Sequence, residues 1–322
     1  ASRIGQPDLG VMTLTEVLDQ LNSITDASTI PLIGDGDTGY GNAMNVIRTV
    51  KSFAKIDCAG VLIEDQLSPK RCGHTRGKKV VSREDATSRI KAAIEEKKSG
   101  SNILIMARTD ARYEFGIEEA IDRLKIFRDL GADILFLEGP KNKKEMEKIC
   151  RQVEGPKMIN LVEGGDTPIL EFNEISEMGY KIAAFPLTIL SASMRATQEV
   201  LNNFKHNKLI QENLMSFNKM QEVIGFKDYF EMEKKYASTT TPYFIMGVVF
   251  KNKITGMRAK SMNPNYERVR KLRGNQANPL YRFLELREKG LLREYLNYYP
   301  EEKDLFRGYQ YKVKDFIYHL HY

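Results

Sequence analysis

What this chain lacks narrows its class first. Its three cysteines, Cys58, Cys72 and Cys150, lie far apart and form no C-x-x-C pair, which argues against a disulfide framework and a zinc knuckle. No stretch approaches about 20 apolar residues in a row, so no membrane-spanning helix is expected. Ala1 to Thr13 carry neither the basic start nor the apolar run of a secretory signal. The expectation is a soluble, cytoplasmic protein, with organelle targeting left open ahead of Ala1. There is no G-x-x-x-x-G-K-[ST] phosphate loop, and Gly39-Tyr-Gly41 lacks the third glycine of a dinucleotide fingerprint.

What is present suffices for a large core: 322 residues with 42% hydrophobic content. The formal net charge of +6 is unevenly spread, because Ala1 to Thr240 is slightly acidic while Thr241 to Tyr322 holds a surplus of about eight positive charges. That last quarter also holds half of the Phe and Tyr residues. Both changes place a domain boundary between residues 1–240 and 241–322.

From Ile30 to Lys205 short apolar runs alternate with segments of helical period, the pattern of successive βα units and a parallel sheet. Strands are predicted at Pro31 to Gly34, Gly60 to Glu64, Ile103 to Arg108, Ile134 to Glu138, Met158 to Val162 and Ile182 to Phe185. Helices are predicted at Ala43 to Ala54, Arg83 to Lys98, Ile117 to Leu130, Lys143 to Gln152, Asn173 to Met178 and Leu187 to Phe204. Ser82 is placed to cap one helix and Gly131 to end another. Six strands suit either an open doubly wound sheet or most of an eight-stranded barrel, and periodicity does not separate the two.

Polar residues recur where strand becomes loop: Asp35 and Asp37, Glu64 and Asp65, Arg108 and Asp110, Glu138, Asn160 and Glu163. In a barrel those ends converge on one mouth. Asp35 and Asp37 stand two apart in a glycine-rich turn and, with Glu64, offer the oxygen donors that suit Mg²⁺; glycine and aspartate are also ordinary turn residues. Cys72 lies in the loop Ser68-Pro-Lys70-Arg71-Cys72-Gly73-His74, whose cationic neighbours suit a thiol that exchanges a proton. No acyl-transfer triad accompanies it. The planar fork of Arg108 matches a substrate carboxylate; salt bridging between loops is the alternative use of Arg108, Glu138, Asn160 and Glu163. Cys58 and Cys150 read as small buried residues, and His206, His319 and His321 receive no role.

Asp35-Gly-Asp-Thr-Gly-Tyr-Gly41, Leu62-Ile-Glu-Asp65, Lys70-Arg-Cys-Gly-His74, Ala107-Arg-Thr-Asp110 and Asn160 followed by Glu163-Gly-Gly together resemble the isocitrate lyase and phosphoenolpyruvate mutase superfamily. The likeness spans about Ala1 to Ser238 and is strongest to the branch called carboxyphosphonoenolpyruvate mutase-like or methylisocitrate lyase-like. It implies a (β/α)8 TIM-type barrel, assembled as a homotetramer with helix exchange. It also implies a small carboxylate substrate, with Mg²⁺ bound by Asp35 and reached through water by Asp37 and Glu64, and with Asp8 beside them in the metal site. By the same likeness Cys72 is the acid/base on a mobile loop with Lys70, Arg71 and His74, and Arg108, Glu138, Asn160 and Gly73 line the substrate.

The resemblance implies a lyase that splits a 2-hydroxy di- or tricarboxylate, with oxaloacetate hydrolase or phosphonate-related mutase chemistry as alternatives. Cys72 favours lyase or hydrolase over mutase, since the mutases lack it. Relatives carry about two strands before the position of Ala1, so the expected fold is a barrel without its first strands. An inactive barrel with a nucleic-acid-binding tail is therefore the contrasting reading.

Thr241 to Tyr322 has no place in that family and is expected to form an unrelated basic α+β extension. Met246-Gly-Val-Val-Phe-Lys-Asn-Lys253 and Gly256-Met-Arg-Ala-Lys-Ser-Met-Asn-Pro-Asn-Tyr266 faintly resemble the last motifs of viral RNA ligases, without the Lys-x-Asp-Gly nucleophile. Arg258, Lys260, Arg268, Arg270, Lys271 and Arg273 could meet phosphates. A solvated basic surface on helices such as Pro279 to Tyr298 is the preferred reading, and no membrane partner is expected.

Overall fold

The computed structural model describes residues 2–73, 75–209, 214–251 and 256–321, the side chain of residue 321 excepted. Two compact units divide the chain, Ala1–Leu209 and Ile210–Tyr322. The division falls ahead of the compositional change at Thr241. Among the described residues no helix is long and apolar enough to cross a membrane.

In the first unit six parallel strands run β1 (Ile33–Asp35), β2 (Gly60–Glu64), β3 (Leu104–Thr109), β4 (Ile134–Leu137), β5 (Lys157–Asn160) and β6 (Ile182–Ala184), each beside the next in chain order. A doubly wound sheet would reverse its order at a switch point. The unreversed order is the winding of a barrel, and six strands curl into a half-barrel in which, among the described residues, β1 and β6 are each paired on one side only.

The helices are α1 (Leu14–Ala27), α2 (Ala43–Lys55), α3 (Arg83–Lys98), α4 (Ala111–Phe115), α5 (Ile117–Leu130), α6 (Lys143–Gln152), α7 (Phe172–Met178) and α8 (Thr188–Lys205). Local chemistry fixes their ends. Ser82 Oγ accepts the Asp85 amide at 3.0 Å, and Gly131 closes α5 at φ 104°, in the left-handed region. Two helices, α1 and α4, lie outside the segments whose periodicity predicts a helix. Thr13 and Glu16 form a capping box at the start of α1.

Register sorts the strand side chains into two faces. Val61, Ile63, Ile105, Ala107, Leu135 and Leu137 pack with the helices in the main core. Leu62, Met106, Ile134 and Phe136 form a separate cluster on the concave side. The pairs Asp35↔Leu62, Glu64↔Arg108 and Asn160↔Ala184 set the polar residues on that same concave face, toward the strand ends. Cys58 is buried as expected, whereas Cys150 is only half-buried at the end of α6.

The second unit contains α9 (Phe217–Ile224), α10 (Phe226–Ala237), the antiparallel pair β7 (Gly247–Lys251) and β8 (Arg258–Met262), α11 (Pro264–Arg273), α12 (Pro279–Glu288), α13 (Leu292–Tyr298) and α14 (Lys303–His321). Its core is Phe283, Leu286, Tyr295 and Phe306. The expected helix from Pro279 to Tyr298 is two helices, with Gly290 at φ 70° between them. Residues 252–255 of the RNA-ligase-like motif lie outside the described residues.

Candidate functional site

The first turn beyond β1 sets the site. Gly36 donates its amide to Leu62 O at 2.9 Å, and a Cβ there would lie 2.7 Å from that oxygen. Only glycine lets the chain cross so close to β2. Asp37 follows at φ 47°, its amide bonded to Asp35 Oδ1 at 2.9 Å, so the two carboxylates share one tight turn.

Lys70 enters this turn from the loop after β2. Its ammonium lies 2.8 Å from both Asp8 Oδ1 and Asp37 Oδ1, and only 6% of the side chain is exposed. Burial alone would lower its pKa, but Asp35, Asp37, Glu64 and Asp8 together hold it above the usual lysine value. Burial, then the nearby Asp35, pushes the Asp37 carboxyl up to about 6. Burial likewise carries Glu64 well above the usual carboxylate range, and neither of its oxygens has a hydrogen bond among the described residues. A cavity of about 560 Å³ opens here, lined by Asp8, Gly10, Asp35, Asp37, Tyr40 and Lys70 among others.

Arg108 stands beside it at the end of β3. Its Nε and Nη2 donate to the two Asp110 oxygens at 2.8 and 3.1 Å. Glu64 Oε2 lies 3.3 Å from Nε and Glu138 Oε2 3.2 Å from Nη2. Asn160 Nδ2 donates to Glu138 Oε2 at 2.9 Å. Four strand ends therefore contribute to one buried polar layer, as the convergence of barrel strands requires.

The loop bearing Cys72 lies over this layer. Gln66 grips it through Arg71, donating to the Arg71 carbonyl and accepting the Arg71 amide, both at 2.9 Å. A Cβ on Gly73 would lie 2.6 Å from Glu138 Oε2 and 2.7 Å from Arg108 Nη2. Lys78 ties the loop down, bonding Gly73 O and lying 3.3 Å from Asp110. Cys72 is half-buried and free. The cationic neighbours expected of it act elsewhere: Lys70 pairs with Asp8 and Asp37, and the Arg71 guanidinium bonds Arg76 O at 3.0 Å. Side chains adjacent in an irregular loop point in different directions. His74 lies outside the described residues.

Glu163 is not part of the layer. It is exposed and accepts the Thr188 hydroxyl at 2.5 Å, at the start of α8. Asp110, Lys78 and Tyr40 are the site residues that motif reading left without a role. The Tyr40 hydroxyl is buried without a hydrogen bond among the described residues, and burial, followed by Asp37 and Asp35, holds its pKa above the usual phenol value. Tyr40 stands inside the glycine-aspartate motif, but only the folded turn shows its hydroxyl near the carboxylates. Below the layer, Asp65 accepts from Thr109 at 2.6 Å, from the Asp110 amide at 2.9 Å and from Arg123 at 3.0 Å. This buried group fastens the end of β2 to that of β3.

The oxygen donors suit a hard divalent cation. Among the described residues no three metal-ligating side chains converge on one point. Mg²⁺, however, commonly takes one or two carboxylates directly and keeps several waters. The Lys70 ammonium within this acidic turn shows that the turn accommodates a cation, and the two buried Glu64 oxygens accept no hydrogen bond from the described residues, Arg108 being their ion-pair partner.

Comparison with known proteins identifies relatives over the first unit. Residues 1–205 match the phosphoenolpyruvate phosphomutase family. The 2,3-dimethylmalate lyase of Eubacterium barkeri is 37% identical over 241 residues, covering 74% of this chain and 83% of that protein. The chloroplastic carboxyvinyl-carboxyphosphonate phosphorylmutase of Arabidopsis thaliana is 37% identical over 245 residues, or 74% and 72% of the two chains. A structure of oxaloacetate acetylhydrolase with 3,3-difluorooxalacetate superposes with a TM-score of 0.69 at 37% identity, over 73% of this chain and 80% of that one.

Proposed function

We propose, for a chain that belongs to the phosphoenolpyruvate mutase and isocitrate lyase superfamily, that it is a Mg²⁺-dependent carbon-carbon lyase. Its substrate is a 2-hydroxy di- or tricarboxylate of the methylisocitrate or isocitrate kind, and its product a 2-oxo acid. The observation that carries this reading is the buried polar layer of Glu64, Arg108, Glu138 and Asn160 beside the acidic turn, with the Cys72 loop over it.

Asp35, Asp37, Glu64 and Asp8 would hold the cation. When bound, Mg²⁺ supplies Lewis acidity toward the oxygen of the bond-breaking carbon. Asp110 and Glu138 orient the Arg108 guanidinium through Nε and Nη2, leaving Nη1 for a substrate carboxylate. Glu138 holds the Asn160 amide toward the same face. In the cleavage the hydroxyl proton passes to a water of the site, the hydroxyl carbon becomes the carbonyl of the 2-oxo acid as its bond to the neighbouring carbon breaks, and the electron pair stays on that neighbouring carbon, which keeps its own carboxylate. The Cys72 thiol delivers a proton to that carbon.

An oxaloacetate hydrolase is the second reading, supported by the 37% likeness to oxaloacetate acetylhydrolase. The deciding assay follows pyruvate, glyoxylate and oxalate release from isocitrate, methylisocitrate, 2,3-dimethylmalate and oxaloacetate, with Mg²⁺ and with chelator. Metal-dependent 2-oxo acid release from isocitrate, methylisocitrate or 2,3-dimethylmalate supports the lyase. Oxalate from oxaloacetate alone assigns the hydrolase, and no product under any condition supports the inactive barrel. In the lyase case Cys72→Ser is expected to lower kcat by about 10² to 10⁴ with Mg²⁺ affinity unchanged by calorimetry; undiminished turnover removes Cys72 from the chemistry.

A further inference from the structure

The second unit contains a surface that the barrel chemistry does not use. The strands β7 and β8 pair with Val249 opposite Lys260 and Lys251 opposite Arg258. Directly opposed residues share a face, so Val249, Lys251, Arg258 and Lys260 stand together. Val248, Phe250, Ala259 and Ser261 occupy the other side. That other side meets α10: the Phe250 ring stacks on Tyr229 with centroids 4.8 Å apart, and Ser261 Oγ donates to Glu233 Oε1 at 3.1 Å. The two faces are therefore chemically distinct, one packed on a helix and one open.

All four residues of the open face are exposed. The side chains of Lys251, Arg258 and Lys260 make no ion pair or hydrogen bond among the described residues. The surrounding segment has the same sign: between Thr241 and Gly274 the described residues include seven lysines and arginines and one acidic residue, Glu267. From there to Tyr322 the charges nearly balance. The basic surplus is thus concentrated on the segment that builds this sheet and the following α11.

We propose that this open sheet face binds the phosphodiester backbone of a nucleic acid. Successive same-face residues on a strand are about 6.6 to 6.8 Å apart along it, and Lys251 lies across from Arg258. Neighbouring phosphates of one strand can therefore each meet a cation, and the Arg258 fork can take two oxygens of one phosphate. Val249 is the only large apolar side chain among the four, too little to insert into a bilayer as interfacial elements do. Having no aromatic ring, the face offers no stacking platform, so recognition is of backbone charge and indifferent to sequence.

The test uses the full chain and fluorescence anisotropy with a labelled 20-nucleotide single-stranded RNA and a 20-base-pair duplex, between 50 and 200 mM KCl. One variant combines Lys251→Glu, Arg258→Glu and Lys260→Glu. A control reverses the same number of charges on exposed helix residues of the unit, Arg287→Glu, Arg293→Glu and Lys314→Glu. Circular dichroism melting checks both, and if the first misfolds, glutamine replaces glutamate at its three positions. The expected result is binding that weakens at least tenfold in the sheet variant and less than threefold in the control. For single-stranded RNA the slope of log affinity against log salt should drop by about 2, from three contacts at about 0.7 each; tighter binding of the duplex than of the single strand at every salt concentration would identify double-stranded nucleic acid as the source of the phosphates. Equal losses in both variants, no binding to either probe at 50 mM KCl, or capture by phosphatidylserine vesicles without nucleic-acid binding would overturn the proposal.

Discussion

At the scale of single residues the site is governed by close approach. Gly73 sits where any side chain would meet Glu138 and Arg108. Gly73→Ala should hold the Cys72 loop away from the polar layer while leaving the core intact. Its kcat/KM is expected to fall at least about tenfold, equivalent to 1.4 kcal/mol, with an unchanged melting temperature. A full-activity alanine variant would show that the loop does not work from this position. Lys70 makes the complementary point: it is a loop residue in sequence, and in the structure its ammonium lies between Asp8 and Asp37.

At the scale of elements, what matters is how neighbouring strand ends are held level. Arg123 on α5 reaches Asp65 at 3.0 Å with both side chains buried, and also bonds Val81 O at 3.0 Å and Glu119 at 2.9 Å. Removing one member of such a pair leaves a buried charge without its partner. Arg123→Leu is expected to destabilise the first unit by about 3 to 5 kcal/mol in urea unfolding. Arg123→Leu with Asp65→Asn should recover part of that loss. A cost near zero for the single variant would mean that Thr109 and the Asp110 amide suffice to hold the strand ends.

At the scale of the whole molecule, α8 carries an unfinished surface. Leu190, Met194, Leu201 and Phe204 recur at helical spacing and are all exposed, and the helix buries none of its residues. A row of this kind calls for a partner surface, which accords with the homo-oligomer expected of the superfamily. Sedimentation velocity on the full chain should show a species larger than a monomer. The variant Leu190→Lys with Leu201→Lys should shift it to monomer without loss of secondary structure. A monomeric parent chain at micromolar concentration would count against the assembly.

Much of the first unit was legible in the chain because its signals are local. Each of the six predicted strands and six predicted helices has its counterpart, with ends within about two residues, since apolar period, caps and glycine stops are written in short windows. The residue types of the site were legible too, as carboxylates, arginine and asparagine recurring at strand ends. Barrel winding, by contrast, is a relation among all six strands, and only the sheet order separates it from a doubly wound sheet. Tertiary structure alone also moved Glu163 out of the polar layer, turned Lys70 toward the carboxylates and brought Asp110 to Arg108. Sequence determines which groups are available and which local backbone each segment prefers; where charged side chains on irregular loops end depends on partners supplied by distant strands.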